Sequence, residues 1–304
     1  MISQAVREAL QRFVPADNIL YKEPLKKHTT FRVGGEADCL IQIDNISRLP
    51  KLLGYISQVE IPFFVMGNGS NLLAGDKGYR GIVLQISDKL NEIKVDGCRL
   101  RVQAGAFLSK VAKTAYELGL TGLEFAAGIP GTVGGGVVMN AGAYDGEMRQ
   151  VVDEVTVLSK EGTTLTLDNR TMEFDYRTSV IKKHPLIVTE CVFLLKQGNK
   201  EEIGAKMADF QNRRKEKQPL EYPSAGSTFK RPEGYFAGKL IMDAGLSGYR
   251  IGGAQVSPKH CGFIINTGEA TAADIRQLIT YVQEEVYRQS GVRLEPEVLF
   301  LGDF

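Results

Sequence analysis

The sequence predicts a mixed α+β fold of two or three compact units, on three observations. Its 304 residues exceed what one hydrophobic core usually organises. Strand-sized apolar runs alternate with helical patterns, and none approaches the roughly 18 residues of a membrane-spanning helix. The 33 glycines stand above the roughly 7% of ordinary chains and gather in clusters, so they mark tight backbone sites rather than a collagen-like or disordered chain.

The elements follow in order. Ile2, Val6, Ala9, Leu10 and Phe13 recur at helical spacing until Pro15 stops them, and Arg7, Glu8 and Arg12 among them argue against a secretory signal. Strands are expected at Cys39–Ile43, Phe63–Met66 and Gly81–Ile86, with a helix over Ile46–Val59 between the first two. A second β-rich stretch follows, with strands at Arg99–Ala104, Val151–Leu158, Thr163–Leu167 and Leu186–Leu195 and a helix near Ser109–Leu118. Gly162 suits a hairpin turn. Asn199, with Glu202 three residues on, caps a helix that runs into a basic end and stops at Pro219. Thr271 and Asp274 cap another over Ala272–Gln289, and a strand over Leu294–Leu301 ends the chain. These shifts place boundaries after residues 28, 87 and 198: a lead-in (1–28), two lobes (29–87 and 88–198) and a C-terminal unit (199–304).

Balanced charge, with 37 basic against 36 acidic residues and no basic tract, argues against a dedicated nucleic-acid or membrane-surface binder. Cys39, Cys98, Cys191 and Cys261 are scattered, as are His28, His184 and His260, so neither a disulfide framework nor a metal site is expected and a reducing cytosol is the natural compartment.

Two glycine-rich segments carry the strongest chemical signal. Gly67–Gly81 follows the apolar FFVM run, and Gly67, Asn68, Gly69, Ser70 and Asn71 offer backbone N–H groups, amides and a hydroxyl to an anion such as phosphate. Leu72 occupies the third glycine position of GxGxxG, so this is no dinucleotide fingerprint. In the second, Gly128–Tyr144, Gly131, Gly134, Gly135 and Gly136 allow close approach of a bulky ligand, while the absence of GK[ST] argues against a P-loop. Either segment alone could be a tight turn; two on one chain favour a diphosphate cradle. The remaining segments have plainer readings: FDYRTS as a surface turn, Ser227 as a loop serine outside any GxSxG elbow, Glu295 and Glu297 as a charged strand entrance, and Arg213, Arg214, Lys215 and Lys217 as a solvated face or an anion site.

Taken together, TTFRVGG, GNGSNLL, GIPGTVGGGVVMNAGAY, DYRTS, YPSAGSTFKRP and PEV resemble the UDP-N-acetylenolpyruvoylglucosamine reductase (MurB) family, from about Thr29 to Gly302. Ala237–Asn266 looks like that family's substrate-domain core, and the short passage after DYRTS resembles its subtype without an inserted substrate loop. The resemblance implies a two-lobed FAD-binding domain of the vanillyl-alcohol-oxidase (PCMH) type followed by a C-terminal α/β domain for the UDP-sugar. It implies non-covalent FAD, NADPH as reductant, and reduction of an enolpyruvyl ether to UDP-N-acetylmuramate for peptidoglycan, by a cytoplasmic monomer.

Carried residue by residue, it makes Arg177, Ser227 and Glu297 catalytic: a fork for the substrate carboxylate, the proton donor, and the glutamate of PEV, preferred to Glu295 on motif position. Tyr176, Arg213 and Lys217 would contact substrate. Gly67, Asn68, Gly69, Ser70 and Asn71, with Gly128, Ile129, Pro130, Gly131, Gly134, Asn140 and Gly142, would hold FAD, and no metal is expected. Two other readings stay open on the residues: another FAD-dependent oxidoreductase of the same fold, or a non-catalytic nucleotide-sugar-binding protein.

Overall fold

The computed structural model describes residues 2–304, which divide into two compact units. The first comprises residues 2–21, Cys39–Asn68 and Gly81–Arg213; the second comprises Lys22–Asp38, Gly69–Arg80 and Arg214–Phe304. The chain therefore passes between units more often than contiguous boundaries at 28, 87 and 198 describe. Packing gives the reason: Phe31, Val33 and Leu73 are buried in one core with Phe229, Ile241, Ile275 and Val298. Among the described residues no helix is long and apolar enough to cross a membrane.

In the first unit lie helices α1 (Gln4–Leu10), α2 (Leu49–Gln58), α3 (Leu108–Glu117), α4 (Val133–Val138) and α5 (Val180–Lys183). Its five-stranded antiparallel sheet is ordered Thr164–Asp168, Val152–Ser159, Leu186–Leu194, Arg99–Gln103, Ile93–Asp96. Leu186–Leu194 is central because β-branched and aromatic residues suit a pleated surface: Cys191 faces Val155 on one side and Val102 on the other. Gly162, at φ 86°, turns the hairpin between the first two strands. Helix α3 buries Leu108, Val111, Ala112 and Ala115, an apolar stripe at helical spacing, in the core of this unit. Helix α6 (Lys200–Lys217) starts at Asn199, whose side chain accepts the N–H groups of Glu201 and Glu202.

A four-stranded sheet is ordered Ile19–Pro24, Glu36–Gln42, Tyr79–Gln85, Phe63–Met66, and its last pair runs parallel with Phe63 opposite Ile82. The connection between those parallel strands is the first glycine-rich segment, so that segment leaves the carboxyl end of a strand.

The second unit holds α7 (Ala237–Asp243), α8 (Ala272–Ser290) and a three-stranded antiparallel sheet of Arg250–Ile251, Ala254–Val256 and Ile264–Asn266. The Thr271–Asp274 capping box forms, Asp76 accepts the N–H groups of Ala272 and Ala273, and Gly291 ends the helix at φ 72°. Burial pushes the Asp274 carboxyl up, but N–H donation from Thr271 and Gly253 and the Thr271 hydroxyl outweigh it and hold it below the usual range. Leu299–Leu301 runs parallel to Leu72–Ala74. The strand expected over Leu294–Leu301 thus forms only at its end, because Pro296 has no N–H to give a ladder and makes a single bridge with Phe229.

Candidate active site

In the first unit the two glycine-rich segments abut. Asn68 donates its side-chain amide to the Pro130 carbonyl at 2.8 Å, and a methyl group on Gly67 would lie 2.3 Å from Thr132 Oγ1. Gly128 and Pro130 are exposed and Ile129 half-buried, whereas Gly131 is buried and its carbonyl accepts the Leu108 N–H. Thr132 caps α4, and the Val133 and Gly134 N–H groups are spent on the Ala106 and Ala104 carbonyls.

Close approach therefore has two sources in this segment. Gly134 is packed against Ala104 (3.1 Å to its Cβ) and Gly136 against Met148 (2.8 Å), so the protein itself excludes side chains there. Gly135 differs: it is exposed, and a methyl group would meet only Thr132 Oγ1 at an ordinary 3.6 Å. A helical glycine that nothing in the protein requires costs about 1 kcal/mol against alanine. Exposed Gly128 and Gly135 and the half-exposed Asn68 leave room for a cofactor diphosphate, although the first N–H groups of α4 are bonded within the protein.

Downstream, Gly142–Ala143 and Gly146–Glu147 form a hairpin whose tip residues, Tyr144 and Asp145, both have positive φ (52° and 64°), the geometry asparagine and glycine usually supply. A side chain on Gly142 would strike the Gly146 carbonyl at 2.7 Å, so this glycine serves the hairpin. Asn140 lies beneath, 1% exposed; both hydrogens of its amide are donated inside the protein and its oxygen accepts the Arg149 N–H. The Asn140 side chain therefore spends its polar groups inside the protein.

Tyr144 stacks on Phe210 (centroids 4.4 Å apart), and the Arg213 guanidinium lies 4.6 Å over the Tyr144 ring. A cavity of about 380 Å³ opens there, with Phe210, Tyr144, Lys206 and buried Glu124 in its lining. Burial pushes the Glu124 carboxyl up, yet the Thr121 hydroxyl and the Gly122 N–H hold it below the usual range. Sequence reading reached Arg213 but missed Tyr144 and Phe210 as its partners; the aromatic residue two positions after Gly142 is the one local signal.

Tyr176 and Arg177 are the middle residues of a tight turn in which Asp175 and Thr178 exchange backbone hydrogen bonds, each 3.1 Å. Arg177 has φ 54°, a conformation that costs a residue with a Cβ roughly 1–2 kcal/mol. Its Nη2 donates to the Gly142 carbonyl at 3.2 Å, its guanidinium lies 5.3 Å from the Tyr176 ring centroid, and Tyr176 is 48% exposed.

The second unit brings Ser227 and Glu297 onto adjacent chain segments. Glu297 N–H donates to the Thr228 carbonyl at 2.8 Å, Phe229 bridges Pro296, and Lys230 N–H donates to the Glu295 carbonyl. Thr228 is buried and fixed by Ile264, whose N–H it accepts, while Ser227 beside it is exposed. Asn71 donates its amide to the Glu297 carbonyl and accepts the Leu299 N–H, so this residue of the first glycine segment holds the PEV strand. The two glutamates separate clearly. Glu295 is exposed and pairs with Lys230 at 2.8 Å, which pulls its carboxyl below the usual range; Glu297 is half-buried. Lys217 is exposed at the last turn of α6.

Residues 37–168 match the FAD binding domain family, and residues 218–301 match the C-terminal domain of UDP-N-acetylenolpyruvoylglucosamine reductase. The chain is 51% identical to the UDP-N-acetylenolpyruvoylglucosamine reductase of Agathobacter rectalis, with all of both chains covered. It is 49% identical to that of Caldanaerobacter subterraneus subsp. tengcongensis, covering 99% of this chain and 100% of the relative. The crystal structure of the enzyme (MurB) from Thermus caldophilus superposes with a TM-score of 0.81 at 37% identity, over 92% of this chain and 97% of that one. Full-length identity of this degree, over both matched domains, establishes that the chain belongs to the UDP-N-acetylenolpyruvoylglucosamine reductase family.

Proposed function

We propose that the chain reduces the enolpyruvyl ether of UDP-N-acetylglucosamine enolpyruvate to UDP-N-acetylmuramate, a peptidoglycan precursor, in the cytoplasm and as a monomer. NADPH is the reductant and FAD the non-covalent cofactor; when bound, FAD would carry hydride from NADPH to the enolpyruvyl ether. The observation that carries the reading is Arg177, a planar cationic fork held at φ 54° and hydrogen-bonded through Nη2.

The residues' work follows from the reaction. A hydride added to the terminal enolpyruvyl carbon leaves negative charge on the carbon next to the carboxylate, and that charge spreads into the carboxylate as an enolate. Arg177 binds those oxygens and gains attraction as the charge grows. Glu297 assists only while it holds a proton, since a bare carboxylate would repel the enolate. Ser227 gives a proton to the α carbon, which completes the addition of H⁻ and H⁺ across the double bond. Tyr176, Arg213 and Lys217 contact the substrate, the last two as cations for the diphosphate. FAD is held by Gly67, Asn68, Gly69 and Ser70 and by Gly128 to Gly131, with the open face of α4 at Gly135; Gly134, Asn71 and Gly142 serve it by fixing the backbone.

The assignment of Gly135 has its own consequence. Gly135→Ala stabilises the cofactor-free protein by roughly 0.5–1 kcal/mol through helix propensity. It weakens FAD binding about tenfold, because a clash of about 1–3 kcal/mol meets the diphosphate. Flavin titration and thermal melts of the stripped protein read both, and unchanged affinity removes Gly135 from the cofactor site.

The activity is tested by anaerobic mixing. NADPH bleaches the yellow protein, and UDP-N-acetylglucosamine enolpyruvate restores the colour while one equivalent of UDP-N-acetylmuramate appears. Protein that stays colourless with added FAD supports a nucleotide-sugar-binding role, and bleached protein that only another substrate reoxidises supports a different flavoenzyme.

A further inference from the structure

We infer that Asn140 is a positioning residue for Arg177: its buried amide fixes the backbone turn from which the guanidinium is presented. The inference rests on the role proposed above for Arg177.

Asn140 Nδ2 donates to the Asp175 carbonyl and to Glu147 Oε2, each at 3.1 Å, and Oδ1 accepts the Arg149 N–H at 2.9 Å. Asp175 is the first residue of the Arg177 turn, and its carbonyl also accepts the Thr178 N–H that closes the turn. Glu147 pairs with Gly142 in the hairpin, and Gly142 is the residue whose carbonyl the Arg177 guanidinium reaches. Both ends of Arg177, its backbone and its fork, are thus referenced to one hairpin, and Asn140 is the link between that hairpin and the turn.

Chain tethering alone does not account for this. Ser179 Oγ already donates to the Val138 carbonyl at 2.9 Å and ties the following residue to the end of α4. What Asn140 adds is the position of the Asp175 carbonyl, from which the strained φ of Arg177 is set. The residue type is demanding too. Asn140 has φ 42°, which asparagine tolerates better than other residues with side chains, and the site needs two donors and one acceptor on a short stem. Aspartate supplies no donor there, and glutamine is one methylene too long. A shift of about 1 Å at a fork aimed at two carboxylate oxygens costs on the order of 10²-fold in rate.

The test is a double-mutant cycle on the FAD-loaded full chain, read as the rate at which the enolpyruvyl substrate reoxidises NADPH-reduced protein. Asn140→Gly accepts the same φ while deleting the amide, and it slows this step about 10²-fold. Arg177→Met slows it by at least as much, and the double variant is no slower than Arg177→Met, since one residue acts through the other. A readout independent of turnover accompanies it: the Thr178 N–H exchanges faster with deuterium in Asn140→Gly, while amides of Leu186–Leu194 keep their protection. Should Asn140→Gly fail to fold, Asn140→Asp, which keeps the shape and lacks the donors, takes its place in the cycle. Additive losses, an unslowed Asn140 variant or unchanged Thr178 exchange overturn the inference alone. An unslowed Arg177→Met overturns both it and the role of Arg177.

Discussion

Ser227→Ala lowers the rate of reoxidation by the enolpyruvyl substrate by about 10²–10⁴-fold, the usual contribution of a positioned general acid. Reduction of the enzyme by NADPH continues, because no proton needs to reach the substrate carbon in that half-reaction. A hydroxyl is a weak acid in water, so the effect depends on placement. The neighbouring Thr228 is buried, its N–H donates to the Gly262 carbonyl, its hydroxyl accepts the Ile264 N–H, and its carbonyl accepts from Glu297. Ser227 is thus an exposed group on a rigid mount, which is how a side chain is held within the half-ångström that proton transfer to carbon demands. Stopped-flow absorbance at the flavin band separates the two half-reactions. Equal slowing of both would mean that Ser227 supports cofactor or fold and is not the proton donor. Ser227→Cys, with a more acidic group on the same mount, restores part of the rate if donation is the role.

Much of this placement could be read from residue order alone. Phe63–Met66 is a strand with the expected ends, because four apolar residues between Pro62 and Gly67 have few alternatives. The Thr271–Asp274 box is local chemistry and forms as its spacing dictates. What escaped the sequence depends on partners far along the chain. Leu72–Ala74 is only three residues long and gains its pairing from Leu299–Leu301, and Asn71 meets Glu297 across 226 residues. Glycine is ambiguous for the same reason. Gly75 would clash with the Asp303 carbonyl at 2.1 Å and Gly78 with that of Glu36 at 1.9 Å, so these two serve backbone packing, whereas Gly135 has no such neighbour. A run of glycines announces close approach but not what approaches. Asn140 shows the same dependence: its amide lies inside a glycine-rich motif, but the partner that takes one of its hydrogens is Asp175, 35 residues on.

Arg177→Lys separates charge from geometry at the proposed carboxylate site. Lysine keeps the positive charge but replaces a planar fork by a point donor on a flexible stem. The expected result is a fall of about 10²–10³-fold in the substrate step, the range for losing one preorganised donor to a developing oxyanion. The structure sharpens this beyond the general rule. Arg177 spends Nη2 on the Gly142 carbonyl at 3.2 Å, and this contact fixes the guanidinium plane before substrate arrives. A lysine ammonium can reach either that carbonyl or a carboxylate oxygen, but it has no second, rigidly linked nitrogen with which to hold both. Product affinity should fall less than the rate, because ground-state carboxylate charge is already present and the fork matters most as charge grows in the transition state. Stopped-flow rates and calorimetric titration with UDP-N-acetylmuramate measure the two quantities. A lysine variant with parental reoxidation rate would show that the planar fork is dispensable. The strain at φ 54° is the same in both proteins, because a lysine there bears the same backbone cost, so the comparison isolates the fork.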